Sequence, residues 1–138
     1  MKLEHIGVAV RSLEQALRFY RDTLGLKVAE IQTVAGEKVR VAMLPLGETR
    51  LELLEATAED SVIAEFISKR GEGIHHIALG VEQLDRHLKQ LQAAGVRILP
   101  AKSECGAGGH RYAFLHPSSC GGVLVELVET APAAKEKK

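Results

Sequence analysis

Two histidines and two glutamates recur at matched places along the chain. His5 lies in Leu3-Glu4-His5-Ile6-Gly7-Val8-Ala9-Val10 and His76 in Gly73-Ile74-His75-His76-Ile77-Ala78-Leu79-Gly80-Val81; laid one on the other, the stretches put His76 on His5. Glu52, flanked by Leu51 and Leu53, has its counterpart in Glu126, flanked by Val125 and Leu127. The histidines are 71 residues apart and the glutamates 74, a difference that one short loop insertion absorbs. Two imidazoles and two carboxylates suit a borderline divalent metal such as Zn, Ni, Co, Mn or Fe better than an all-oxygen Mg or Ca cage. On an octahedral ion they would leave two open positions, for water or for two oxygens of a substrate whose carbonyl the metal polarises. Taken one at a time, a strand histidine is more often a hydrogen-bonded core residue, and Glu52 could be an exposed strand glutamate. The symmetric recurrence favours ligation, because an acid on the inward side of an apolar strand is costly without a metal or partner.

The elements that must position these groups follow from periodicity. A period of two sends Ile6, Val8 and Val10 to one face and His5, Gly7 and Ala9 to the other. Ala78 and Gly80 beside His76 leave room for a metal and a substrate. His75, one residue off the ligand position, is expected to face the core and to be structural. Ser12 and Gln15 form a capping-box pattern ahead of a helix whose apolar positions are Leu13, Ala16, Leu17, Tyr20 and Leu24, closed by Gly25. Strands are expected over 26–34, 39–46 and 50–55, with Pro45 limiting the second. A linker helix at about 60–70 follows, capped by Asp60 or Ser61, with Val62, Ile63, Phe66 and Ile67 as its stripe. The pattern then restarts: the His76 strand, a helix through Leu84, Leu88 and Leu91, and strands over 96–103, 111–115 and 121–129.

The fold class is therefore α+β: two paired βαβββ modules, about 1–56 and 72–130, forming one cup of mixed, curved sheet with helices outside. If the modules share that cup, His5, Glu52, His76 and Glu126 come from equivalent strands and converge. The chain to 130 reads as a single domain, and 131–138 as a disordered tail. Gly106-Ala107-Gly108-Gly109 forms a loop whose backbone can approach a ligand closely. His87 is expected at the surface. His110 and His116, near the glycine loop, read as structural, and Cys105 and Cys120 receive no role.

Lys plus Arg and Asp plus Glu are both 18, so no long-range field favours nucleic acid or an anionic membrane. Tryptophan is absent and aromatics are few, which argues against stacked bases. Two cysteines outside any CxxC pair, with no apolar leader or 18-residue apolar run, point to a cytoplasmic setting and a small-molecule partner.

With His, Glu, His and Glu on matching strands of a βαβββ pair, the chain resembles the vicinal oxygen chelate superfamily (glyoxalase, bleomycin resistance and dioxygenase proteins), and within it the methylmalonyl-CoA epimerases. The resemblance covers nearly the whole chain; its specific parts are Gly71-Glu72-Gly73-Ile74-His75-His76-Ile77-Ala78 and the run from His116 to Leu127. It implies a metal on His5, Glu52, His76 and Glu126, with cobalt favoured over Mn, Ni or Zn. It also implies an acyl-CoA substrate whose α-proton is moved between faces through a stabilised enolate, and a homodimer. One base would be Glu126 and the other an acid just before the third strand. The family's acid position, three residues before Val39, is Gly36 here, and Glu37 is the candidate, re-aimed by the pliant glycine. Lys38, Arg40, Lys102 and Arg111 are candidate contacts for the coenzyme A phosphates. Competing readings are a glyoxalase I-type lactoylglutathione lyase and a non-catalytic small-molecule binding protein; a dioxygenase would need one carboxylate fewer.

Overall fold

The computed structural model describes residues 1–99 and 105–130. Strand β1 (Lys2–Ala9) leads into helix α1 (Leu13–Leu17), where the Ser12 side chain accepts from the Gln15 backbone N–H at 3.2 Å, satisfying an otherwise orphan donor. The helix widens into a π-helical turn, Arg18–Thr23, and Gly25 leaves it at φ 91°. Strands β2 (Glu30–Val34), β3 (Val39–Leu46) and β4 (Thr49–Ala56) complete the first module. The β2–β3 ladder ends at Met43, so Pro45 lies beyond it, where its missing N–H costs no β2 bond. Strand β2 is shorter than expected because Leu26 and Val28 pack against the α1 core instead.

Helix α2 (Val62–Arg70) is capped by Ser61, whose hydroxyl accepts from the Ile63 N–H at 3.1 Å. Next come β5 (Gly73–Val81), α3 (Leu84–Ala93), β6 (Ile98–Leu99), β7 (Tyr112–Leu115) and β8 (Val125–Glu129). The last strand starts four residues later than expected, since Gly121 and Gly122 take φ of 68° and 91° and turn the chain before it can pair. Of the sixth expected strand, 96–103, the structure shows Ile98–Leu99, and its part beyond Leu99 lies outside the described residues, as does the tail from 131.

All eight described strands form one sheet in the order β2-β3-β4-β1-β5-β8-β7-β6. Each module contributes four strands in the same internal order, and they meet at the antiparallel pair β1·β5, where Ile6 faces Ile77. About that pair the register is symmetric: His5 lies opposite Ala78, and Gly7 opposite His76. One face carries two helix-covered cores, Leu13, Leu17, Leu44 and Leu53 under α1 and Leu84, Leu115 and Leu127 under α3. The other face is the cup. There α2 closes one end, with Ile63 packed on Ala9, Val39, Val41 and Leu54. Burying each of the valine, leucine and isoleucine side chains contributes about 1.5–3 kcal/mol to holding this wall together.

The β1·β5 ladder is broken twice. Its register slips between Leu3 and His5, and again between Gly7 and Val8 opposite Ile74 and His76. Each slip is a bulge placed one residue before a key histidine, at Glu4 and at His75. A bulge sets two residues against one and re-aims the strand, so strict alternation fails at both places.

Candidate active site

Three of the four expected ligands meet at a point. His5 Nε2 lies 3.1 Å from His76 Nε2 and 3.2 Å from Glu126 Oε1, and His76 Nε2 lies 3.1 Å from the same oxygen. All three residues are buried, in the middle of the sheet. A metal bound at about 2.0–2.1 Å to imidazole nitrogen and carboxylate oxygen brings neighbouring donors to about 3 Å, so this trio has ligand spacing. The fourth, Glu52, borders the same cavity but turns its Oε2 to Arg50, at 2.8 Å from Nε and 2.6 Å from Nη2, and reaches His5 only at Nδ1, 3.4 Å away.

Arg50 also donates from Nη1 to Glu4 Oε2 at 2.6 Å, and Glu4 Oε1 in turn accepts from His5 Nδ1. Glu4 escaped the sequence reading because period two assigns it to the face away from His5. The bulge brings it back, with only 7% of its surface exposed. Two signals were present: an acid directly before the histidine, and Arg50 two residues before Glu52 on the same strand face.

The same correction applies to His75. It lines the cavity beside His76, with Nδ1 to Nδ1 at 2.9 Å, and stacks edge-on against Phe66 of α2 at 5.1 Å. The glycines and alanines were expected to make room for metal and substrate. Instead they seat side chains of the facing strand. A Cβ on Gly7 would lie 2.3 Å from His76 Cε1, Ala78 faces His5, and a Cβ on Gly80 would lie 3.0 Å from Thr130 Cγ2 and 3.6 Å from Glu4.

The electrostatics of the two histidine pairs differ. Burial opposes a charge on His5, but hydrogen bonds to Glu126 and Glu4 and the nearby Glu52 carboxylate outweigh it and hold the imidazolium up to about 9. Burial likewise pushes Glu126 up, yet the bonds from His5 and His76 prevail and bring it to about 2. Glu4 is held below the usual carboxylate range by His5 and Arg50, against its burial. His75 goes the other way: burial, and then the neighbouring His76, push it down to about 3, so it is a neutral imidazole. A cation bound at Nε2 would take the place of the His5 proton, and the buried carboxylates of Glu4, Glu52 and Glu126 would then face one guanidinium, a deficit that a divalent ion neutralises. Donor set, spacing and charge all fit such an ion.

The cavity above the trio is walled by Val34, Val39, Val41, Leu54, Ile63 and Phe114, with Glu37 and Tyr112 on its lining. Glu37 ends a 3-10 turn, Ala35–Glu37, and its Oε2 accepts from the Tyr112 hydroxyl. The chain is redirected there by Lys38 at φ 56°, rather than by Gly36.

The expected phosphate contacts fare differently. Arg40 is held by Glu14 and Glu55, and Arg111 by Asp85 and Glu129, both beside the helix-covered cores and away from the cavity lining. Lys38 pairs with Asp60, and Lys102 lies outside the described residues. His87 bonds to the Gln83 carbonyl on α3. His116 caps the turn Pro117–Ser119, and His110 sits against Gly108, outside the cavity lining.

Residues 4–114 match the sequence model of the Glyoxalase/Bleomycin resistance protein/Dioxygenase superfamily. The chain is 40% identical over 127 residues to the mitochondrial methylmalonyl-CoA epimerase of Mus musculus, covering 91% of this chain and 71% of that protein. It is also 40% identical to an ethylmalonyl-CoA/methylmalonyl-CoA epimerase of Cereibacter sphaeroides, over 91% of this chain and 96% of that one. A variant of the Streptomyces coelicolor methylmalonyl-CoA epimerase, solved in complex with 2-nitronate-propionyl-CoA, superposes with a TM-score of 0.89 at 39% identity, covering 96% of this chain and 99% of the other.

Proposed function

The chain belongs to the glyoxalase/bleomycin resistance protein/dioxygenase superfamily, and from that premise we propose that it is an isomerase, an epimerase that interconverts (R)- and (S)-methylmalonyl-CoA by 1,1-proton transfer. The observation that carries this reading is the meeting of Glu126 with two imidazole Nε2 atoms at the base of an apolar cavity that has a second acid, Glu37, on its lining.

His5, His76 and Glu126 would hold the metal, and Glu52, which borders the same cavity, would be a fourth ligand if its carboxylate left Arg50. Bound there, a divalent metal supplies Lewis-acid stabilisation of the negative charge that develops on the thioester oxygen as the α-proton leaves. The remaining work belongs to the chain. Glu126 exchanges a proton with the α-carbon on one face, and Glu37 with the other. Glu4 accepts from His5 Nδ1–H, which fixes the tautomer with a free Nε2 lone pair toward the metal. His75 does the same for His76: being neutral, its Nδ1 can accept the Nδ1–H of its neighbour. The apolar wall of Val34, Val39, Val41 and Leu54 keeps water from the developing charge. On the same resemblance the reading extends to cobalt as the metal and to a homodimer in the cytoplasm; among the described residues no helix is long and apolar enough to cross a membrane.

The test is to incubate metal-loaded protein with each methylmalonyl-CoA epimer in D2O, following inversion and α-deuterium uptake. Both are expected. Formation of lactoylglutathione from the glutathione hemithioacetal without either signal would replace the reading with a glyoxalase. A protein that takes up no transition metal by elemental analysis would be a binding module.

A further inference from the structure

Glu37 sits on a short turn between two strands, half-exposed, where a carboxylate would ordinarily sample several rotamers. Inverting a carbon centre needs the opposite: two acids fixed on opposite faces, each within reach of the same atom. The group that meets Glu37 comes from the other module. Tyr112, 75 residues on, donates its hydroxyl to Glu37 Oε2. The residue is only 6% exposed, its ring packed against Phe114 at 5.8 Å and in a cluster with Ala78 and Val128. Gly106 closes over it so tightly that a Cβ there would lie 3.2 Å from the ring. The ring therefore has nowhere to turn. A second bond crosses the same rim, from Gly108 N–H to Gln32 Oε1 at 3.0 Å, and Ala107 packs on the first module's core.

We propose that Tyr112 is a positioning residue for the second proton transfer, clamping Oε2 of Glu37 across the module boundary so that Oε1 is the oxygen that exchanges a proton with the α-carbon. The assignment rests on the epimerase reading and on Glu37 as its second acid. A phenol suits the task in both states of the cycle. It donates to Oε2 of the carboxylate, and it still donates to Oε2 when the proton sits on Oε1, so the clamp survives turnover. The step balances: Glu126 takes the α-proton as Glu37 delivers one to the other face, and the reverse reaction exchanges the roles.

Tyr112→Phe removes the hydroxyl and keeps the ring. With the metal-loaded variant in D2O, the epimer that gives its proton to Glu126 should still take up deuterium at close to the wild-type rate, now without inverting. Uptake by the other epimer, and interconversion itself, should fall about 10- to 100-fold with KM unchanged, the size expected of a misplaced but intact catalytic group. Glu37→Gln should give the same asymmetry, more severely, and guards against a fold effect in the tyrosine variant. Equal rates for both epimers in Tyr112→Phe, whether at the wild-type level or equally slowed, would overturn the proposal while leaving Glu37 to be judged by its own variant. Failure of the wild-type protein to exchange either epimer would instead overturn the epimerase reading, and this assignment with it.

Discussion

The two halves of the cup solve one problem with different chemistry. Each module bulges its central strand one residue before the histidine that meets Glu126, and each thereby supplies that histidine with a partner at Nδ1. In the first module the partner is the carboxylate of Glu4, itself tied through Arg50 to Glu52. In the second it is the neutral ring of His75, backed by Phe66. Arg50 corresponds to Leu124 in the second module, so that strand position supplies no guanidinium there. The two modules thus share the bulge and the histidine and differ in the supporting groups. Backbone geometry is what the site requires twice; the charge is needed once.

The seats of the two rings diverge as well, and this gives the largest expected effect. His76 lies directly over Gly7, whereas His5 faces Ala78, which has a Cβ. Gly7→Ala should displace the His76 ring and reduce metal-dependent turnover more than about 100-fold, as a 1 Å misplacement can. Ala78→Gly should stay within about threefold, since it only removes a methyl group opposite His5. Steady-state rates with metal content measured on the same samples separate the two. Similar losses in both variants would mean that the modules seat their ligands alike.

The supporting partners come next. Glu4→Gln keeps an acceptor for His5 Nδ1 but removes its charge, and metal affinity should fall about 10- to 100-fold, the usual cost of losing a group that orients a ligand. His75→Gln also keeps an acceptor, and loses no charge because His75 is neutral, so its affinity should fall less than about tenfold. Competition titration against a chelating dye measures both. A reversed order would show that the second module carries the electrostatic burden.

Arg50 joins Glu4 to Glu52, and Arg50→Met would leave two buried carboxylates without their shared cation. The metal-free variant should lose about 2–4 kcal/mol of stability by denaturant unfolding, somewhat less than a fully buried pair because Arg50 retains some exposure. Added metal should recover part of the loss, since Glu52 then has another cation to meet.

Most of this architecture was legible in the sequence because it rests on repetition: the matched histidines and glutamates, the capped helices and the alternation of Leu51, Glu52, Leu53 and Leu54 each report a face. The family that these residues suggested is the one the chain belongs to. What period two could not show was where the period breaks. His75 reads as facing away from the cup, Glu4 receives no reading, and only the two register slips bring them in. Arg40 and Arg111 were assigned to phosphates by charge alone, yet alternation places them opposite Val41 and Tyr112, which line the cup, and there acids on the helix-covered side take them. Tyr112 carried no signal of its own, since its partner Glu37 is 75 residues away and the bond crosses between modules.

The smallest expected effect is a difference in how the two histidine pairs respond to pH in the metal-free protein. His5 is raised from its ordinary value to about 9, so the folded state holds its proton more tightly than the unfolded chain. That contribution to stability is complete below about pH 6.5 and is lost as pH rises through 9. His75 is lowered to about 3, so the unfolded chain binds its proton more tightly. Its cost is absent above about pH 6.5 and grows as pH falls toward 3. Thermal melts of metal-free His75→Gln should therefore match the wild type in shape above neutrality and lose less stability between pH 6 and 4, by a few degrees in Tm. Glu4→Gln weakens the hold on the His5 proton, so it should flatten the decline between pH 7 and 9; because Glu4 is itself held below the usual carboxylate range, the variant also loses the contribution that this carboxylate gives up as pH falls, and the alkaline limb is the one that reports on His5. If His75→Gln changed the alkaline limb as Glu4→Gln does, the two histidine pairs would be a single coupled unit, and the division of labour between the modules would fall with it.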